Sequence, residues 1–182
     1  MKTALKLICV VVVLVPAASL PSFVWSTAKQ SSQNSRKALT PAEFRDHMKQ
    51  LADAWNRGDA RVAADLFAED ALYSSPPNSR IHDGRQELFE WFGGVHGRPK
   101  PMQMLWHHLV FDAEQQIGAA EYTFTYEMRT HGMVLIRFRD RKIANWREYE
   151  IESPLDWEVM VGKNRFCQTP AGSSARACDS SS

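Results

Sequence analysis

The sequence predicts an α+β domain, with helices first and an antiparallel sheet after them. Two observations carry this. Up to Gly94 the apolar residues recur at the three- and four-residue spacing of helices. From Met102 onward they alternate with a period of two, the pattern of a sheet with helices on one face and solvent on the other.

The first helix follows from "TPAEFRDHMKQLADAWNRGD". Thr40 is the N-cap, Pro41 the first helical residue and Glu43 the return partner of a capping box. Phe44, Met48, Leu51, Ala52 and Trp55 form one apolar face, and Gly58 stops the helix. A second, shorter helix over "DARVAADLFAED" is capped by Asp59, with apolar positions at Val62, Ala63, Leu66 and Phe67. "ALYSS" is a short extended piece ended by Pro76-Pro77, and a third helix runs from Asp83 to Gly93-Gly94.

Four strands are predicted in "QMLWHHLVFD", "IGAAEYTFTYEM", "MVLIRFRD" and "KIANWREYEI". A turn near Glu114-Gln115 places Leu105, His107, Leu109 and Phe111 on the face of Tyr122. With Thr130-His131-Gly132 as the next hairpin loop, Phe124 faces Phe138 and Tyr126 faces Ile136. With Asp140-Arg141 as the last turn, Val134, Ile136 and Phe138 share a face with Ile143, Asn145, Arg147, Tyr149 and Ile151. Trp146, Glu148 and Glu150 then join Arg137 and Arg139 in an outer charged ladder.

The chain has 182 residues, 44% hydrophobic and 24% charged, as expected of one globular domain. Its 22 basic and 21 acidic residues are interspersed, which argues against nucleic acid or an anionic membrane as partner. "MKTALK" followed by "LICVVVVLV" and small residues has the form of a secretory signal peptide over 1–28, with cleavage after Ala28 or Ser19. The run is too short for a comfortable membrane span of about 20 residues. The expected address is secreted or periplasmic. A polar linker spans 29–39, the domain 40–165, and a Ser-rich flexible tail 166–182. In an oxidising compartment Cys167 and Cys178 are expected to form a disulfide within that tail.

"LADAWNRGDARVAADLFAEDALYSSPP", "GRQELFEWF" and "FRDRKIANWREYEI" resemble the nuclear transport factor 2-like superfamily in its SnoaL-like branch, from about Thr40 to Glu152. The resemblance implies a cone-shaped α+β barrel, a bent antiparallel sheet around a long helix with an apolar pocket at one end. It implies no cofactor and no metal, a homodimer, and either acid–base chemistry of isomerase, lyase or cyclase type or ligand binding without turnover. Several enzymes of the superfamily carry an aspartate where this chain has Ile151, and Glu152 lies one residue beyond.

The expected pocket face therefore carries His107, Arg147 and Tyr122 as catalytic candidates, with Trp55, Tyr73, Tyr126, Asn145 and Tyr149 binding ligand. The unperturbed pKa of a histidine such as His107 suits proton transfer near neutrality, and Arg147 could hold a carboxylate or an oxyanion unless Asp53 neutralises it. The ligand class expected is a small apolar or carboxylate-bearing molecule.

Overall fold

A computed structural model describes residues 38–77, 80–100 and 102–164. The signal segment, its cleavage positions and the Cys167–Cys178 pair lie outside the described residues. Helix α1 (Pro41–Arg57) begins with the expected capping box, Thr40 and Glu43 bonding each other's backbone N–H, and ends at Gly58 with φ 72°. Asp59 caps α2 (Ala60–Asp65) by accepting from the Val62 N–H. Strand β1 (Phe67–Ser74) is longer than the extended piece expected, and β2 (Ile81–Asp83) pairs with it. Helix α3 (Arg85–Trp91) precedes β3 (Gln103–Asp112), β4 (Ile117–Thr125), β5 (Arg129–Arg139) and β6 (Lys142–Glu152). A short α4 (Trp157–Val161), absent from the sequence expectation, follows.

The six strands form one unclosed, curved sheet in the order β2-β1-β6-β5-β4-β3. All neighbours are antiparallel except β1 and β6. The core lies between α1 and the inner face, where Phe44, Met48, Leu51 and Trp55 meet Tyr122, Val134, Ile136 and Trp146. Among the described residues no helix is long and apolar enough to cross a membrane.

Two local events change which side chains face the core. The Asp140–Arg141 turn forms as expected, with positive φ at both residues. Beyond it, Phe138 pairs with Ile143 but Arg137 pairs with Asn145, so Ala144 is a surplus residue on β6. From that bulge onward every side chain is on the opposite face from the one expected. Trp146 and Glu148 point inward, with 1% and 7% exposure, whereas Asn145, Arg147, Tyr149 and Ile151 are exposed. A second irregularity lies between Trp106 and His108, leaving Trp106 opposite Tyr122 on the inner side.

The β4–β5 turn is at Tyr126–Met128 rather than Thr130–Gly132, so Phe124 pairs with Thr130 and Tyr122 with Gly132. Its physical reason is the width of Tyr122. A Cβ on Gly132 would lie 2.5 Å from Tyr122 Cζ and 2.8 Å from the Tyr149 carbonyl oxygen. A strand glycine here leaves the space that the tyrosine ring fills. Gly132→Ala is expected to destabilise the domain by about 1–3 kcal/mol through overpacking. Urea unfolding measures it, and an unchanged midpoint would show that Tyr122 is not held against that strand.

Candidate functional site

The open end of the fold encloses a cavity of about 340 Å³. Trp55, Tyr73, Phe92, Met102, Met104, Tyr122 and Glu148 form its buried wall, each below 9% exposure. Trp91, Glu127, Met128 and Glu150 form an exposed rim, with the half-buried Arg98, Phe124, Tyr126 and Thr130 beside them. Helix α1 delivers Trp55 as the last residue of its apolar stripe. Strand β1 delivers Tyr73, β4 Tyr122, and the Ala144 bulge turns Glu148 toward both.

Glu148 is the centre of this arrangement. Tyr73 donates to its Oε1 at 2.6 Å, while Tyr122 at 3.1 Å and Trp146 Nε1 at 2.9 Å donate to Oε2. Tyr73 lies parallel to Trp146, ring centroids 5.6 Å apart, which fixes the hydroxyl above the carboxyl. Burial raises the Glu148 pKa, the three donors oppose the rise, and nearby Glu150 adds to it; the balance is about 7. The Tyr73 and Tyr122 hydroxyls are pushed well above their ordinary range, first by burial and then by the Glu148 charge, so both remain donors.

Of the residues expected in the pocket, Trp55, Tyr73, Tyr122 and Tyr126 line this cavity. The other four do not. Asn145 and Arg147 line a groove of about 390 Å³ on the outer face, with Leu72, Ile81, Ile117, Leu135 and Arg137. Tyr149 is also outside, in a shallow hollow beside Trp157 and Met160. Asp53 pairs with Lys49 at 2.6 Å and not with Arg147. The outer groove is the larger by volume, but its polar groups are solvated. Of the two, the inner cavity sets a buried carboxyl among hydroxyl donors, so the chemistry is assigned there.

His107 is likewise turned outward. The Leu155 carbonyl can only accept, so His131 Nε2 donates to it at 2.8 Å. In a neutral His131 ring Nδ1 then accepts from the Thr123 hydroxyl at 2.9 Å, and His107 Nε2 donates to Thr123 Oγ1 at 2.6 Å. The His107 ring stacks on Trp157 at 4.2 Å, and burial holds its pKa below the ordinary value. This chain pins α4 to the outer sheet.

The sequence reading missed Glu148. A signal for it existed: two tyrosines expected on the inner face need an acceptor when buried. Among the described residues no cluster of three metal-ligating side chains occurs.

The raised Glu148 pKa fixes a sign. Its ionisation is harder in the folded chain, so its contribution to stability is whole below about pH 4.5 and falls as pH rises to about 7. His47, held near 4 by burial, contributes in the opposite sense, losing stability as pH falls below about 6.5. The difference between wild type and Glu148→Gln isolates the carboxyl. Wild type is expected to lose about 2–3 kcal/mol relative to the variant between pH 4.5 and 8. Denaturant unfolding at both pH values tests this; parallel curves would mean that Glu148 is ionised throughout.

The comparisons with known proteins agree with this architecture. No curated protein matches the sequence. Among solved structures, a putative ketosteroid isomerase from Kribbella flavida has a TM-score of 0.53 at 20% identity, covering 72% of this chain and 93% of its own. A cystatin-like protein of unknown function from Methylobium petroleophilum has a TM-score of 0.55 at 20% identity, with coverage of 66% and 82%. An LEH-like epoxide hydrolase of M. tuberculosis has a TM-score of 0.52 at 16% identity, with coverage of 60% and 84%. At these identities the likeness is one of fold. The SnoaL-like domain model matches residues 48–146, more than half of the chain. The protein belongs to the SnoaL-like family of the nuclear transport factor 2-like superfamily.

Proposed function

We propose that the inner cavity is an active site for proton transfer at a carbon next to a carbonyl group of a small apolar substrate, with Glu148 as the proton carrier. The observation that carries this is a carboxyl buried in an aromatic cavity, held by three donors and poised to exchange a proton at about pH 7. General acid–base catalysis is most efficient when the group's pKa lies near the working pH.

The geometry divides the work. Oε2 accepts from both Tyr122 and Trp146, whereas Oε1 accepts from Tyr73 alone. The remaining lone pair of Oε1 is the one that takes the proton from carbon. Once protonated, Glu148 is a weaker acceptor, and the Tyr73 and Tyr122 hydroxyls are released to stabilise the negative oxygen formed on the substrate. Return of the proton to a different carbon completes an isomerisation. The apolar walls strengthen each of these interactions by excluding water.

A cyclic β,γ-unsaturated ketone, 3-cyclohexenone, tests the reaction class, because the conjugated product is followed by ultraviolet absorbance. Glu148→Gln is expected to lower the rate by at least about 100-fold. Tyr73→Phe removes a donor that lowers the Glu148 pKa, so the midpoint of its pH–rate profile moves upward. Turnover that survives Glu148→Gln unchanged overturns the assignment. Absence of turnover in the wild type would leave a binding protein.

The outer face supports self-association of the domain as well. Met133, Tyr149 and Ile151 are neighbours on β5 and β6 and are 45%, 45% and 65% exposed. Two copies joined through this face would cover them. Sedimentation equilibrium is expected to give a dimer, and Ile151→Glu a monomer; a monomeric wild type overturns the inference.

A further inference from the structure

We infer that Arg98 is the specificity-determining residue of the cavity and that its ligand is an aromatic or alicyclic carboxylate, with the acidic group at the rim and the apolar body inside. The inference rests on the reading of the inner cavity as the ligand site and adds the class of molecule it selects.

Arg98 lies in the segment after α3, and its side chain enters the cavity wall together with Trp91 and Tyr126. Its guanidinium carbon stands 5.0 Å from the Trp91 ring centroid and 4.9 Å from that of Tyr126. The two rings hold the plane of the group. One Nη2–H donates to the Trp91 carbonyl oxygen. Nε is buried and has no hydrogen-bond partner among the described residues. No carboxylate of the described residues lies within ion-pair distance of Arg98, although Glu127 and Glu150 line the same cavity. Glu150 accepts instead from Thr130 Oγ1 at 3.0 Å.

A guanidinium always carries its charge and presents five donors in a fork that matches two carboxylate oxygens. Some other arginines of this domain find such oxygens within the protein, as Arg129 does on Asp156 at 2.6 Å and Arg141 on Glu43 at 2.7 Å. At the rim of an aromatic cavity, an arginine fixed by two rings and without a carboxylate partner among the described residues is placed to receive an anion from outside at its Nη groups. A carboxylate there forms charge-assisted hydrogen bonds, and the body of the ligand fills the apolar space between Trp55, Phe92, Met102 and Met104.

Three probes of one shape separate the possibilities: 1-naphthylacetate, its neutral amide and 1-naphthylethylammonium. Binding is followed by tryptophan fluorescence at pH 6 in wild type, Arg98→Gln, Arg98→Lys and Glu148→Gln. The wild type is expected to bind the carboxylate at least about tenfold more tightly than the amide, and the ammonium most weakly. Arg98→Gln should erase that preference by weakening the carboxylate far more than the amide, and Arg98→Lys should retain part of it. The wild-type comparison decides the matter even if Arg98→Gln does not fold. Equal binding of acid and amide, tighter binding of the ammonium, or no binding of any probe overturns the inference. So does an equal loss for all three probes in Arg98→Gln, because Arg98 would then merely prop the aromatic rim. Glu148→Gln should keep the carboxylate preference. The rim can therefore fail this test while the proton-transfer role of Glu148 stands, and the reverse.

Discussion

The structure depends most on the carboxyl of Glu148 and the three donors aimed at it. Removed from water, an ionised carboxylate is strongly disfavoured unless hydrogen bonds replace its hydration. Tyr73 comes from β1, Tyr122 from β4 and Trp146 from β6 itself, so satisfying Glu148 fixes three strands relative to one another. The aromatic residues then pack around that point. Trp146 meets Trp55 of α1 edge-on at 5.7 Å and Trp106 of β3 at 6.2 Å, which carries the constraint to the helix and the far edge of the sheet. A group with a poised proton and the arrangement of the core are thus one construction.

Small residues make the construction possible. Gly132 leaves room for the Tyr122 ring, and Gly118 does the same for Phe44, since a Cβ there would lie 2.6 Å from the Phe44 ring. Phe44 then stacks on Phe111 at 4.5 Å, closing the end of the core away from the cavity. The Ala144 surplus is also small, so two successive residues of β6, Ile143 and Ala144, are both buried without crowding.

Much of the helical layer was legible in the sequence because its signals are local. Thr40, Pro41, Glu43, Gly58 and Asp59 act on backbone groups within a few residues of themselves, and they behave as read. The sheet was legible in outline, and Trp55, Tyr73, Tyr122 and Tyr126 do line one cavity. The faces of β6 and of His107 were not legible. A bulge is one residue of surplus whose position is settled by the partner strand, and strict alternation contains no information about it. The β4–β5 turn expected at Thr130–Gly132 falls at Tyr126–Met128, where the Tyr122 ring fits over Gly132, a long-range contact that local turn signals do not report. Arg98 lies outside any periodic segment, so nothing in the spacing brings it to the cavity.

The register observed buries charge at one residue of β6. Glu150 remains exposed toward the open end, and only Glu148 is enclosed. The two registers differ in which ion they bury. The register expected from alternation places Arg147 inside, and a guanidinium keeps its proton at any accessible pH. The register observed places Glu148 inside, and a carboxyl can shed its charge by taking up a proton. With its pKa raised to about 7, the group can take up a proton near neutrality, and its three donors serve the charged form. The less costly register is therefore the one that buries the residue able to change its protonation state. For this fold, limiting the penalty of a buried charge and acquiring a group that exchanges protons near neutral pH follow from the same placement of one side chain.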